Sequence, residues 1–135
     1  MPLYFCKSVP PSGNYITGLK AFVGGYAGTS YHAEIDIESG IAEYIVLDYG
    51  YEQASKEKIV LSEEKIKKLL DSLEEADIFQ WDKHYEDKDI LDGTVWSVEI
   101  TLKDSVLQFA GNNAFPDQWE VFCSSLQEVL GKKFA

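Results

Sequence analysis

The sequence contains no arginine, and this absence narrows its possible partners. All twelve basic residues of the 135-residue chain are lysines, so no guanidinium group can bind phosphate or carboxylate bidentately. The formal net charge is −11. Because nucleic-acid binding depends on a basic surface that releases counterions, we do not expect a nucleic acid as a partner.

Cysteine and long apolar runs are also scarce. Cys6 and Cys123 lie far apart, with no CxxC spacing, so they predict neither a redox pair nor a zinc site. We expect Cys123 to be a small buried hydrophobic residue. No apolar run approaches the roughly 20 residues of a membrane span, and the first residues lack the features of a secretory signal. These observations predict a cytoplasmic protein without a membrane association.

The composition is typical of one folded domain. Hydrophobic residues make up 45% of the chain and aromatic residues 13%, enough for one core in a domain of this size. We therefore expect a single α+β domain over residues 1–135, in which residues 1–13 are an extended or loosely ordered segment.

Alternating polar and apolar residues predict strands in the first half of the chain. The clearest is YHAEIDI, which places His32, Glu34 and Asp36 on one polar face. The short ESG segment after it predicts a hairpin loop. The predicted strands are 15–23, 31–37, 41–49 and 56–61, the last of which would protect a sheet edge with Lys56 and Lys58.

Two helices and a second hairpin are predicted in the remainder. Ser62 is a capping residue followed by an apolar stripe at helical spacing, which predicts a helix over 62–77. Strands are expected at 94–102 and 106–110, and a helix over 116–130 with Pro116 in its first turn. The order ββββ-α-ββ-α predicts one antiparallel sheet of five or six strands, with both helices packed on one face.

The glycine-rich segment VGGYAGTS, residues 23–30, raises the question of a phosphate-binding loop. The lysine of GxxxxGK[ST] is missing, the GxGxxG pattern is absent, and the next element is a predicted strand. The segment is therefore interpreted as a hairpin loop, and no cofactor is expected.

The acidic stretch WDKHYEDKDILDG, residues 81–93, is the other candidate site. Asp87 and Asp89 could begin a calcium loop, but Leu91 replaces the third oxygen ligand and Asp92 the required glycine. Two alternatives stay open: a solvated loop, or a looser metal or general-base site in which His84 acts with a carboxylate. The candidate binding residues are His84, Asp87, Asp89 and Asp92.

Sequence motifs for nucleophilic catalysis are missing. The chain has no GxSxG and no HExxH, and neither cysteine has a nearby histidine in the sequence, so no catalytic residue is assigned. The three tryptophans, Trp81, Trp96 and Trp119, could line a ligand pocket, but Trp96 and Trp119 lie on predicted core faces, so core packing is favoured.

Two short motifs carry a resemblance to a known group of proteins. The segments DGTVWSVEI (92–100) and GNNAFP (111–116) resemble an uncharacterised family of small bacterial α+β proteins with a DGTxWSxEI strand and a GxNxYP turn. The similarity covers about residues 60–130, and Phe115 stands where tyrosine is usual. It implies a fold and no established activity. Each motif residue can have a structural role: Asp92 and Gly93 as a turn, Trp96 as a core anchor, and Asn112, Asn113 and Pro116 as a chain reversal into the helix.

Two functions of different classes are compatible with these features. The first is a non-catalytic binding protein whose acidic surface, including the open sheet face, binds a basic protein, as an immunity protein or an inhibitor does. The second is a small metal-dependent or acid–base hydrolase that uses the 81–93 stretch. The missing catalytic motifs favour the first, and the oligomeric state is not predicted.

Overall fold

Seven strands and two α-helices make up the fold of the described chain. The structure is a computed structural model, and it describes residues 16–25, 28–48, 52–87 and 93–134. The strands are β1 (Ile16–Gly24), β2 (Ser30–Asp36), β3 (Ile41–Asp48), β4 (Glu52–Val60), β5 (His84–Glu86), β6 (Val95–Leu102) and β7 (Val106–Asn112). The helices are α1 (Glu63–Glu75) and α2 (Trp119–Leu130), and a 3-10 turn spans Ile78–Gln80.

The strands form one mixed sheet in the order β4-β3-β2-β1-β6-β7-β5. The α+β class is confirmed, but the prediction of five or six strands in a purely antiparallel sheet is wrong. The additional strand β5 pairs in parallel with β7, so the order is ββββ-α-βββ-α. Since α1 and the 3-10 turn lie between β4 and β5, the chain passes from one edge of the sheet to the other and enters the second edge alongside β7.

The predicted hairpin between β2 and β3 is present, and a glycine closes it. Gly40 has a φ of 75°, and its N–H donates to the carbonyl of Asp36 at 2.8 Å. A Cβ at this position would lie 2.8 Å from the carbonyl oxygen of Leu61. Both the backbone conformation and the close approach therefore require glycine.

The two helices differ in how well the sequence predicts their first residues. Ser62 caps α1 as expected, because its Oγ accepts a hydrogen bond from the N–H of Lys65 at 3.2 Å. The prediction that α2 begins at Pro116 is wrong. The Pro116 carbonyl accepts the N–H of Trp119 at 3.0 Å in a turn before the helix, which begins at Trp119.

Strand β4 begins at Glu52, four residues before the predicted 56–61. The sequence pattern does not show these first residues, because nearly all side chains of the strand are exposed. A strand whose two faces are both in water has no alternation of polar and apolar residues. It forms one edge of the sheet, and Lys56 and Lys58 lie on that edge as predicted.

The core lies between one face of the sheet and the two helices. The pairing register places Ala21 beside Ala33 and Val98 on this face, and all three are buried. The helices contact each other and contribute buried residues such as Leu69 and Leu126 to the same cluster. The opposite face, called here the open face, carries the polar residues of the central strands.

None of the helices in the described part of the chain combines the length and the apolar composition that a membrane crossing requires.

Candidate binding surfaces

The described part of the acidic stretch forms an exposed edge of the sheet. His84 is 63% exposed, and its Nε2 lies 3.3 Å from Oε1 of Glu86, two residues along β5. The backbone N–H of Asp87 donates to the carbonyl of Asn112 at 2.9 Å. Asp89 and Asp92 lie outside the described residues. The structure thus pairs His84 with a carboxylate that was not among the four candidates, and it does not test the convergence of those four.

The described residues do not group three histidine, cysteine, aspartate or glutamate side chains closely enough to hold a metal ion. We expect calcium, magnesium, manganese and zinc to leave the melting temperature unchanged, relative to EDTA at matched ionic strength. A specific site saturated at about 100 times its dissociation constant would add about 2.7 kcal/mol of stability. A metal-specific rise that disappears in Asp89→Asn would instead make the 81–93 stretch a metal site.

The two motifs of the family resemblance interlock in space. Asn113 has a φ of 63°, and its N–H donates to the carbonyl of Thr94 at 2.8 Å. A Cβ at Gly93 would lie 1.4 Å from the Oδ1 of Asn113, so the asparagine side chain occupies the space above this glycine. These contacts support the structural interpretation of Gly93 and Asn113.

Trp96 joins the same motifs through its indole ring. Its Nε1 donates to the carbonyl of Ala114 at 2.8 Å, and the side chain is 2% exposed, which places it in the core as predicted. A Cβ at Gly111 would lie 2.2 Å from that Nε1 and 2.6 Å from the Ala114 oxygen. The strand containing Trp96 and the turn that follows β7 therefore fit together only with glycine at 111.

The other tryptophans and the buried cysteine have different environments. Trp81 is buried, and its Nε1 donates to the carbonyl of Ala76 at 2.9 Å. Trp119 is only partly buried and borders a cavity, so the prediction of a core role holds for it in part. Burial, with a smaller contribution from Glu120, raises the pKa of the Cys123 thiol to about 12, which leaves it protonated and unreactive at neutral pH.

Ser30 is a buried hydroxyl without a hydrogen-bond partner in the described part of the chain. It is fully buried, and its Oγ lies 2.0 Å from the position that a Cβ at Gly24 would take. Removing an unsatisfied buried polar group recovers its desolvation cost. We expect Ser30→Ala to raise the free energy of unfolding by about 1–2 kcal/mol in urea denaturation.

Ser97→Ala is the matched control, because Ser97 is an exposed serine in β6 of the same sheet. Its effect should stay within about 0.5 kcal/mol. A marked loss of stability in Ser30→Ala would show that this hydroxyl has a polar partner in solution.

The open face carries a row of five charged side chains and one glutamine that crosses the sheet. We call it the charged row, and the strand register aligns its members as Lys58, Glu43, Glu34, Lys20, Glu99 and Gln108. Lys20 Nζ lies 4.0 Å from Glu99 Oε2, and Gln108 Nε2 donates to Glu99 Oε1 at 3.0 Å. These contacts are partly exposed, so each contributes little to stability.

Two carboxylates of the charged row are direct neighbours. Glu34 and Glu43 are opposite each other on β2 and β3. Like charges in this position destabilise a sheet. The cationic contacts of the two residues are separate: Lys56 Nζ lies 3.5 Å from Glu43, and His32 Nε2 lies 3.1 Å from Glu34. His32 carries a positive charge only when protonated.

A shallow groove of about 460 Å³ lies beside this carboxylate pair. Gly18 is among its lining residues and leaves room there, since a Cβ would make only ordinary contact with Thr101 at 3.5 Å. The charged residues that line the groove are Glu34, Asp36, Glu38, Glu43, Lys20 and Lys58, four acids against two lysines. The groove therefore has an excess of negative charge that suits a cationic group.

The alternation over residues 31–37 places Glu34 and Asp36 on a polar strand face, but it does not show the groove. The hairpin loop of residues 37–40 sets the register that places Glu43 opposite Glu34. Counting back from that loop would have identified this pair. Gly18 and Lys58 line the groove only because β1 pairs with β2 and β4 pairs with β3.

No protein-family model matches the chain, and no curated protein is significantly similar to it.

Proposed function

We propose that this protein is a non-catalytic binding protein whose open sheet face binds a basic protein, as an immunity protein or an inhibitor does. The observation that carries the proposal is the groove beside Glu34 and Glu43. Four acidic residues line this groove of about 460 Å³, with only two lysines along the same lining. A lysine or arginine side chain of the partner fits this groove by charge.

The opposition of Glu34 and Glu43 gives the proposal an energetic basis. Two like charges at directly opposite sheet positions destabilise the free protein. A cation bound between them would replace this repulsion with two attractive interactions. The net charge of −11 adds a long-range field that increases the association rate of a basic partner.

The hydrolase alternative has no comparable support among the described residues. His84 contacts Glu86 at an exposed edge, and the described part of the 81–93 stretch contains no serine, threonine or cysteine that could act as a nucleophile beside this histidine. The proposal therefore assigns no catalytic residue.

Paired charge-neutralising variants can test the proposal. We suggest measuring the affinity of a 20-residue lysine- and arginine-rich peptide by calorimetry for the wild type and for Glu34→Gln/Glu43→Gln. Because exposed ion pairs contribute about 0.2–1 kcal/mol each, this double variant should weaken binding roughly three- to tenfold. Its melting temperature should stay the same or rise, because the like-charge opposition is removed.

The matched control is Glu74→Gln/Glu75→Gln, which changes the net charge equally on an exposed part of α1. It should leave the affinity within about twofold of the wild type, through weak long-range screening alone. Equal losses in the two double variants would contradict the proposal, because net charge and not the open face would then hold the peptide.

A further inference from the structure

A second cavity lies on the other side of the sheet, near the first residue of α2. It has a volume of about 480 Å³, within the range of roughly 300–1,000 Å³ that is typical of small-molecule sites. The described lining residues lie at or next to the ends of β1, β2 and β6, in the turn before α2, in the first turn of α2 and in the C-terminal segment. They are Val23, Gly24, Thr29, Tyr31, Thr94, Phe115, Trp119 and Lys133.

Three aromatic rings form much of the wall of this cavity, and core residues hold them in place. The Phe115 and Trp119 rings are 5.4 Å apart between centroids, and both contact the buried ring of Trp96. Tyr31 packs against Phe134 on the other side, with centroids 6.4 Å apart. Phe115 is 38% exposed, so part of this wall is accessible. Rings positioned in this way can bind a planar ligand with little rearrangement.

The polar lining differs in charge from the rest of the molecule. The chain has 23 acidic and 12 basic residues, yet the one charged group among the described lining residues is Lys133. Lys133 is exposed and forms no ion pair with the described residues, whereas its neighbour Lys132 lies 3.0 Å from Glu57. The Tyr44 hydroxyl donates to the Lys133 carbonyl and holds this part of the backbone.

Three further lining residues carry hydrogen-bond donors. The hydroxyls of Thr29 and Thr94 belong to lining residues on either side of the cavity. The indole N–H of Trp119 makes no hydrogen bond to a described residue, whereas those of Trp81 and Trp96 donate to backbone carbonyls. A cation, hydroxyl groups and an indole N–H are suited to an anionic ligand group.

We propose that this cavity binds a small aromatic carboxylate. The ring lies against Tyr31, Phe115 and Trp119, and the carboxylate lies at Lys133. This site is independent of the open face, because the two share no lining residue and lie on opposite sides of the sheet.

Three ligands with the same ring separate the contributions of ring and charge. We suggest titrating the ¹⁵N-labelled protein with indole-3-acetate, indole-3-acetamide and tryptamine, which are anionic, neutral and cationic. The amide signals of Thr29 and Thr94 and the indole signal of Trp119 should shift saturably, whereas the Trp81 indole signal should not. Because Lys133 is exposed, we expect the acetate to bind roughly three- to fivefold more tightly than the acetamide, and tryptamine to bind most weakly.

Adjacent lysines supply the matched control. Lys133→Gln should abolish the preference for acetate over acetamide but keep binding of the ring, and Lys132→Gln should keep the preference. Phe115→Ala should weaken the binding of all three ligands. Circular dichroism verifies the fold of each variant.

Three results would overturn the assignment. They are the absence of saturable shifts at these residues up to about 10 mM ligand, equal binding of tryptamine and acetate, and equal effects of the two lysine variants.

Discussion

Trp96→Ala is expected to lower the free energy of unfolding by about 3–5 kcal/mol, because it removes the largest fully buried side chain of the described core. The indole ring is 4.7 Å from the Trp119 ring and 5.9 Å from the Trp81 ring between centroids. Its loss leaves a cavity between these rings and removes the donor to the Ala114 carbonyl. Urea denaturation followed by circular dichroism measures the change.

Trp96→Phe separates the two contributions to this loss. Phenylalanine keeps most of the apolar volume but cannot donate to Ala114, so it should cost less than alanine, about 1–3 kcal/mol. A loss below about 1 kcal/mol for Trp96→Ala would be incompatible with a core role for this residue.

The second large effect is expected at Gly111, where alanine should destabilise the protein by about 1–3 kcal/mol or more. Its Cβ would lie 2.2 Å from the Nε1 of Trp96 and 2.6 Å from the carbonyl oxygen of Ala114. Neither group can move away easily, because one belongs to a buried ring and the other to the backbone that this ring's N–H contacts. Thermal and urea unfolding of the variant test this expectation.

Gly18→Ala is the matched control, because both glycines lie in strands of the same sheet. At Gly18 the added Cβ would be 3.5 Å from the Cβ of Thr101, an ordinary contact, and the φ angle is not positive. Alanine should therefore be neutral or stabilise the protein by about 0.4–1 kcal/mol, through the lower entropy of the unfolded chain. Equal losses at the two positions would mean that strand propensity, and not the contact with Trp96, explains the effect at Gly111.

The contacts of Trp96 and of the turns beside it give a structural reason for the two motifs of the family resemblance. Gly93, Trp96 and Asn113 belong to its two motifs, and each is engaged with a residue of the other motif or of the turn beside it. Their spacing therefore has a structural explanation. Membership of the family stays a prediction, and the groove and the aromatic cavity, which lie largely outside the motifs, are where we expect function.

Local patterns in the sequence determined the elements whose two faces differ. The alternation over residues 31–37 predicted β2 and its polar face, and the apolar stripe after Ser62 predicted α1 with its cap. Gly40 in the predicted ESG loop agrees with the structure, and Gly131 directly after the predicted helix is the C-cap of α2. Both have positive φ angles, which glycine adopts more readily than other residues. Each of these features depends on residues only a few positions apart.

Only the tertiary structure decided the features that join distant parts of the chain. Strand β5 has only three residues, too few for a periodic pattern, and its parallel pairing with β7 depends on a distant segment. The first half of β4 had no pattern because both of its faces are exposed. The groove required β1, β2, β3, β4 and β6 to align side by side, and the aromatic cavity required α2 to approach the ends of β1 and β2. The physical reason is that a candidate site is set by sheet order and register between segments far apart in sequence, whereas amino-acid patterns record only the local backbone and which face is buried.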